Sequence, residues 1–156
     1  MGAIKLWFER DHDLGKYHFE KARELCPSDV YIISRYATML IYFGEFEKAL
    51  GELERAMRLD PFSHDLLFGA EALCHYWLGN YDKAITCFKK VKVLKAHLFY
   101  IALTYVKKGD QETAQEKLKE ARIITGMNIE SFVKSEPYED QDRINFLMAD
   151  LESIKK

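Results

Sequence analysis

Long apolar runs are missing from this chain. Hydrophobic residues make up 48% of its 156 positions but fall in short groups, and none approaches the roughly 20 consecutive residues that cross a bilayer. The opening "MGAIKLWFERD" reaches Glu9, Arg10 and Asp11 too early to serve as a signal peptide. A cytoplasmic location and no membrane partner are therefore expected. Cysteine is sparse as well. Cys26, Cys74 and Cys87 form an odd, widely spaced set without a CxxC, which argues against a disulfide frame or a zinc knuckle. Nor is there an excess of one charge. The 23 basic and 25 acidic residues leave a formal net charge of -2, against a nucleic-acid binder that works by neutralising phosphates. What remains is a soluble globular composition of about one domain's size.

Catalytic patterns are also lacking. No nucleophile-base pair, phosphate-cradling loop or metal-spaced cluster stands out, so neither an enzyme nor a cofactor is expected. Ser63-His64-Asp65 spells a triad, but triad members meet across a fold, and three consecutive residues cannot align as nucleophile, base and orienter. A loop with Ser63 or Asp65 capping a helix is the expectation there. His12, His18, His64 and His97 are scattered without ligand spacing. "KKVKVLK" gathers Lys89, Lys90, Lys92 and Lys95 late in a helical pattern, where lysines complement the helix dipole and solvate the outer face.

What the chain does contain is a recurring pattern. "YFGEFEKALGELERAMRLDP", "WLGNYDKAITCFKKVKVL" and "VKKGDQETAQEKLKEARII" each place a glycine (Gly44, Gly79, Gly109) five residues before an alanine (Ala49, Ala84, Ala114). A large apolar residue follows four further on (Leu53, Phe88, Leu118), and a smaller one three beyond that (Ala56, Val91, Ala121). Spacings of four and three keep these side chains on one helical stripe. The small members let a neighbouring helix approach, and the large ones fill the space between.

Each glycine closes a preceding helical pattern, "VYIISRYATMLIYF", "LLFGAEALCHYWL" or "KAHLFYIALTYVKK", because glycine accepts the left-handed geometry of a helix end. Asn80 and Asp110 are expected to cap the helices that follow. The unit is helix, glycine turn, helix. "YHFEKARELCPSD" repeats its tail, with Phe19, Ala22 and Pro27 placed as Leu53, Ala56 and Pro61 are and Gly15 in the place of Ala49. The chain is thus expected to begin inside a repeat.

The expected organisation is one domain over 1–156. It comprises a partial repeat 1–29, repeats 30–63, 65–94 and 95–126, and a C-terminal cap 127–156. Helix 81–93 should join helix 95–107 by a very tight turn. In the cap, Ile144, Leu147, Met148, Leu151 and Ile154 share one stripe, with a polar outer face of the kind a solenoid end needs. Ile129, Phe132 and Val133 should tuck a short turn beneath it.

The repeat length, the glycine before each second helix, the alanines and the closing Leu59-Asp60-Pro61 resemble a tetratricopeptide repeat (TPR) array. The resemblance implies an all-α, right-handed solenoid from about Leu6 to Thr125. It also departs from the pattern. The step from Gly44 to Gly79 carries one extra residue, that to Gly109 is short and lacks the inter-repeat proline, and Gln111 replaces the usual aromatic. A narrower likeness lies in "FERDHDLGKYHFEKARELCPSD", "LDPFSHDLL" and "SEPYEDQDRINFLMADLESI". These are similar to the TPR region that follows a class III cyclase or winged-helix domain in bacterial signalling proteins.

That resemblance implies a function in protein–protein interaction, with the first helix of each pair lining a concave groove. The groove-facing positions would include Tyr31, Arg35, Thr38 and Tyr42, then Leu73, Tyr76 and Trp77, then Phe99, Tyr100 and Lys107. Aromatics of this kind are enriched at interface hot spots. The groove lacks the Lys and Asn set with which some TPR co-chaperones hold a peptide carboxylate, since only Arg35 has that chemistry. A protein or peptide segment, apolar or amphipathic, or the chain's own capping helix, is the expected tenant. Self-association through the incomplete first unit is the alternative. Glu71 and His75, four apart where the repeat usually places apolar residues, read as a structural polar pair. A metal site would need a third ligand, and Cys74 points about 100° away.

Overall fold

The computed structural model describes residues 1–62, 64–91 and 97–154, and of His64, Asp65 and Leu66 the backbone alone. The architecture is all-α, a TPR-type solenoid of stacked helix pairs. Helix α1 (Gly2–Ile4) continues as a wider π-helical segment, Lys5–Glu9, which ends at Arg10 in a left-handed conformation. It packs on α2 (His12–Leu25). There follow the pairs α3 (Val30–Tyr42) and α4 (Phe46–Leu59), α5 (His64–Trp77) and α6 (Tyr81–Phe88), and α7 (Leu98–Lys107) and α8 (Gln111–Thr125). The short α9 (Ile129–Ser135) and the longer α10 (Gln141–Ile154) end the chain. Packing is most extensive within each of these three pairs, and α10 lies against α7, α8 and α9. Among the described residues no helix is long and apolar enough to span a membrane.

Three turns share one geometry. Gly44, Gly79 and Gly109 have φ of +75°, +75° and +79°. In each, the next residue's amide reaches the carbonyl five residues back: Glu45 to Leu40 (2.9 Å), Asn80 to His75 (2.8 Å) and Asp110 to Tyr105 (3.0 Å). This closure satisfies carbonyls that the helix end would otherwise orphan. Asp110 caps α8 by accepting from the Thr113 amide, whereas the Asn80 side chain makes no capping bond. The expected cap at Ser63 or Asp65, and the tight turn near 93–95, lie outside the described side chains and residues. Helix α6 stops at Phe88, short of the expected 93, because the amides of Lys90 and Val91 bond three residues back and tighten the last turn.

The repeated stripe is the core. Ala49, Leu53 and Ala56, then Ala84, Phe88 and Val91, then Ala114, Leu118 and Ala121 are all buried. Neighbouring units are also tied by polar contacts at the edges, Lys16 to Glu45 at 3.0 Å and Arg23 to Glu52 at 2.9 Å. Close approach is used twice. Gly15 lets α2 rest on Leu6, and a Cβ at Gly69 would lie 2.7 Å from the ring of His97, the residue before α7, which therefore rests against α5.

Candidate functional site

Helices α3, α5 and α7 present one face, and the chain's own residues 129–154 lie across it. The contact centres on Tyr138. Its phenol accepts from Trp77 Nε1 at 2.9 Å and lies 2.7 Å from the Tyr100 hydroxyl. Its ring meets Tyr42 edge-on at 4.9 Å and Trp77 at 5.3 Å. Edge-to-face pairs at these distances add attraction beyond burial. Burial pushes the Tyr42, Tyr100 and Tyr138 phenols well above their usual range, so all three stay protonated donors.

Backbone and charge contacts extend this seat. The Glu139 amide donates to the Tyr42 carbonyl at 3.1 Å, and Arg10 donates to the carbonyls of Ser135 and Glu136. Arg143 lies over the rings of Phe46 (4.8 Å) and Trp77 (5.2 Å). It packs against Gly44, where a Cβ would lie 2.5 Å from its guanidinium. At the far end Lys107 Nζ reaches Asp150 at 2.8 Å and sits over Phe146 at 3.7 Å, while the Tyr76 hydroxyl donates to the same carboxylate at 3.3 Å. Phe99 meets Phe132 edge-on.

Beneath the segment is a cavity of about 220 Å³, lined by Trp7, Tyr42, Leu73, His97, Tyr100, Phe132, Ser135 and Glu136. Glu136 is 8% exposed. Burial raises the pKa of its carboxyl to about 7, partly offset by the Tyr42 hydrogen bond and the nearby Arg10. A buried carboxyl without a full ion pair favours its neutral form.

Of the expected groove residues, Tyr42, Leu73, Tyr76, Trp77, Phe99, Tyr100 and Lys107 thus meet at the face covered by 129–154. The other three are placed differently. Tyr31 is 64% exposed, Arg35 lies over Trp7 at 5.6 Å, and Thr38 bonds back to the Ser34 carbonyl within its own helix. Glu71 and His75 approach to 3.9 Å, an ion-pair separation too long for a hydrogen bond. The sequence reading missed Trp7, Arg10, Phe46, Glu136, Tyr138, Arg143 and Asp150, which complete the contact. The apolar Pro137-Tyr138 island inside an acidic stretch was its one visible signal.

The comparisons with known proteins agree with this architecture. A family model described as tetratricopeptide repeat matches residues 71–93. Mouse and human proteins named DnaJ homolog subfamily C member 7 are each 30% identical to this chain over 83 residues, covering 53% of it. The matched stretch is 16% of those relatives' own length, so this chain corresponds to a small part of them. No solved structure matches significantly. The repeat hit, the relatives and the stacked helix pairs support a tetratricopeptide-repeat protein, which suggests a protein–protein interaction module.

Proposed function

We propose that this chain is the regulatory interaction module of a larger bacterial signalling protein, and that its α3–α5–α7 face takes an aromatic-bearing partner segment in competition with its own residues 129–154. The carrying observation is Tyr138, seated among Tyr42, Trp77 and Tyr100 with both polar neighbours satisfied. A surface that accepts one such side chain with its flanking backbone has the features of a peptide site: a preformed apolar pocket with a few placed polar groups. Because the pocket is already ordered, a partner loses little conformational entropy on entering it.

The test uses a labelled peptide of residues 129–143 added to the full chain. The Tyr138→Ala variant, whose own segment is loosened, should bind the peptide at least tenfold more tightly than the unmodified chain. Absence of saturable binding to the correctly folded variant removes the reading. The signalling context has its own check, a cyclase or winged-helix domain encoded upstream.

A second reading, self-association at the N-terminal edge, is favoured by Ile4 and Phe8, which are 52% and 84% exposed. Light scattering at rising concentration decides it: a strict monomer rules it out, and a dimer lost on Phe8→Glu supports it.

A further inference from the structure

We propose that Glu71, His75 and Cys87 form a site for a zinc-class divalent cation that clips α5 to α6, independent of the groove. One ligand atom from each lies within 4.8 Å of the others. The helix hairpin produces this meeting. Glu71 and Cys87 stand equally far in sequence from Gly79, so an antiparallel pair folded at that turn brings them level, and His75 lies one turn from Glu71 on the same face. Cys87 is therefore the third ligand that the sequence alone did not show.

The donor set is chemically apt, since thiolate, imidazole and carboxylate are the three side-chain classes that bind Zn²⁺. His75 Nδ1 is buried without a hydrogen-bond partner, and burial lowers the ring's proton affinity, leaving the neutral form that metals require. Cys87 is the group that must change. Burial, the nearby Glu71 charge and its hydrogen bond with Glu71 push the thiol up to about 11, so it is protonated at neutral pH without an ion. Binding would form an S–metal bond and release that proton to solvent, while the Glu71 carboxylate exchanges its thiol contact for the cation.

Bond lengths of about 2.0–2.3 Å require the ligand atoms to close to roughly 3.4–3.8 Å apart, a contraction within reach of rotamer adjustment. The three face a pocket of about 390 Å³, also lined by Asp82, Lys83 and Thr86, which leaves room for a fourth ligand from solvent. Lys83 at the rim opposes a cation but favours the thiolate. Cys74 is buried elsewhere on α5 and is not part of the cluster.

The experiment titrates the full reduced chain with Co²⁺ as the probe, then with Zn²⁺. One equivalent of Co²⁺ should give tetrahedral visible bands and a near-ultraviolet sulfur-to-cobalt charge-transfer band, both displaced by Zn²⁺. Cys74→Ser and Cys26→Ser should retain the charge-transfer band, and Cys87→Ser should lose it. Glu71→Gln, which keeps size and hydrogen-bonding capacity, should weaken cobalt binding at least about tenfold, since removing a direct ligand costs no less than removing a supporting contact. No charge-transfer band at one equivalent, its persistence in Cys87→Ser, or unchanged affinity in Glu71→Gln would each overturn the proposal.

Discussion

Replacing Tyr138 tests whether residues 129–154 are a tenant of the α3–α5–α7 face or an inseparable part of the fold. Tyr138→Phe removes only the hydroxyl. Trp77 Nε1 then loses its acceptor, and the buried Tyr100 hydroxyl loses its neighbour at 2.7 Å. Leaving buried polar groups unpaired costs about 1–3 kcal/mol, so a loss near 2 kcal/mol is expected. Tyr138→Ala also empties the ring's place among Tyr42, Trp77 and Tyr100, and truncation of a buried aromatic costs about 3–5 kcal/mol.

Global melting is a poor readout, because repeat arrays lose cooperativity and a single melting temperature blurs their parts. Native-state amide exchange resolves them. The amides of Leu147 and Leu151, both fully buried in α10, should lose protection about 30-fold in Tyr138→Phe, which is 2 kcal/mol at 1.4 kcal/mol per decade. In Tyr138→Ala the loss should exceed about 100-fold on the same scale. Leu40 and Leu53, in the first full pair, should keep their protection within about threefold. Two results would refute the reasoning: α10 protection that ignores the hydroxyl, or equal losses in α3 and α10, which would make the segment part of one indivisible core.

Further perturbations report on the same contact. Glu136 is raised from the usual carboxyl value of 4.5 to about 7, so the folded chain holds a proton that the unfolded chain has released. Stability from this group is present below about pH 4.5 and is lost as pH rises through 7, with an upper bound of order 3 kcal/mol. His97, lowered by burial, acts oppositely, because the unfolded ring gains a proton below its usual 6.5. The difference between Glu136→Gln and the unmodified chain isolates the carboxyl, and it should favour the variant by more at pH 8 than at pH 5 in urea unfolding. Gly44→Ala and Gly79→Ala share the strain of a left-handed residue, about 1–2 kcal/mol. Only at Gly44 would the new methyl displace Arg143, so that variant alone should loosen α10, by about 1 kcal/mol of lost cation–π contact. A double-mutant cycle on Lys107→Met and Asp150→Asn should give a coupling of about 1–2 kcal/mol, above the range for exposed pairs, since both side chains are under a fifth exposed; a coupling under about 0.3 kcal/mol would place the pair in solvent.

The repeat was legible because its signal is local. A glycine with left-handed backbone and a stripe of small and large residues at spacings of four and three specify turn, helix and facing surface within some 15 positions. Phe88 shows where locality ends: no glycine or proline follows it before Gly109, so periodicity alone carried the helix too far. The row of aromatics on α3, α5 and α7 that meets Tyr138 was legible for the same reason, being set by helical spacing. Its occupant was not. Tyr138 and Glu136 sit in "SEPYEDQD", a stretch with no helical or strand period, and the burial of Tyr138 depends on contacts with Tyr42, Trp77 and Tyr100 that are 38 or more positions distant. Cys87 was missed differently. Its meeting with Glu71 follows from counting outward from Gly79, a step that treats the hairpin rather than the single helix as the unit.

Under the proposed reading, the internal tenant sets the affinity that any partner can show. If residues 129–154 close the face by about 3 kcal/mol, the open form is about one molecule in 150, and a partner with an intrinsic affinity near 1 μM binds as though near 150 μM. Weak apparent binding would then reflect regulation rather than a poor surface. Linkage makes the relation exact in sign and size: whatever factor a substitution in Tyr138 removes from α10 protection, it adds to partner affinity until the face is mostly open. A partner that gains nothing when α10 loosens binds elsewhere on the array. A partner whose gain tracks the exchange rates of Leu147 and Leu151 competes for the place that Tyr138 holds.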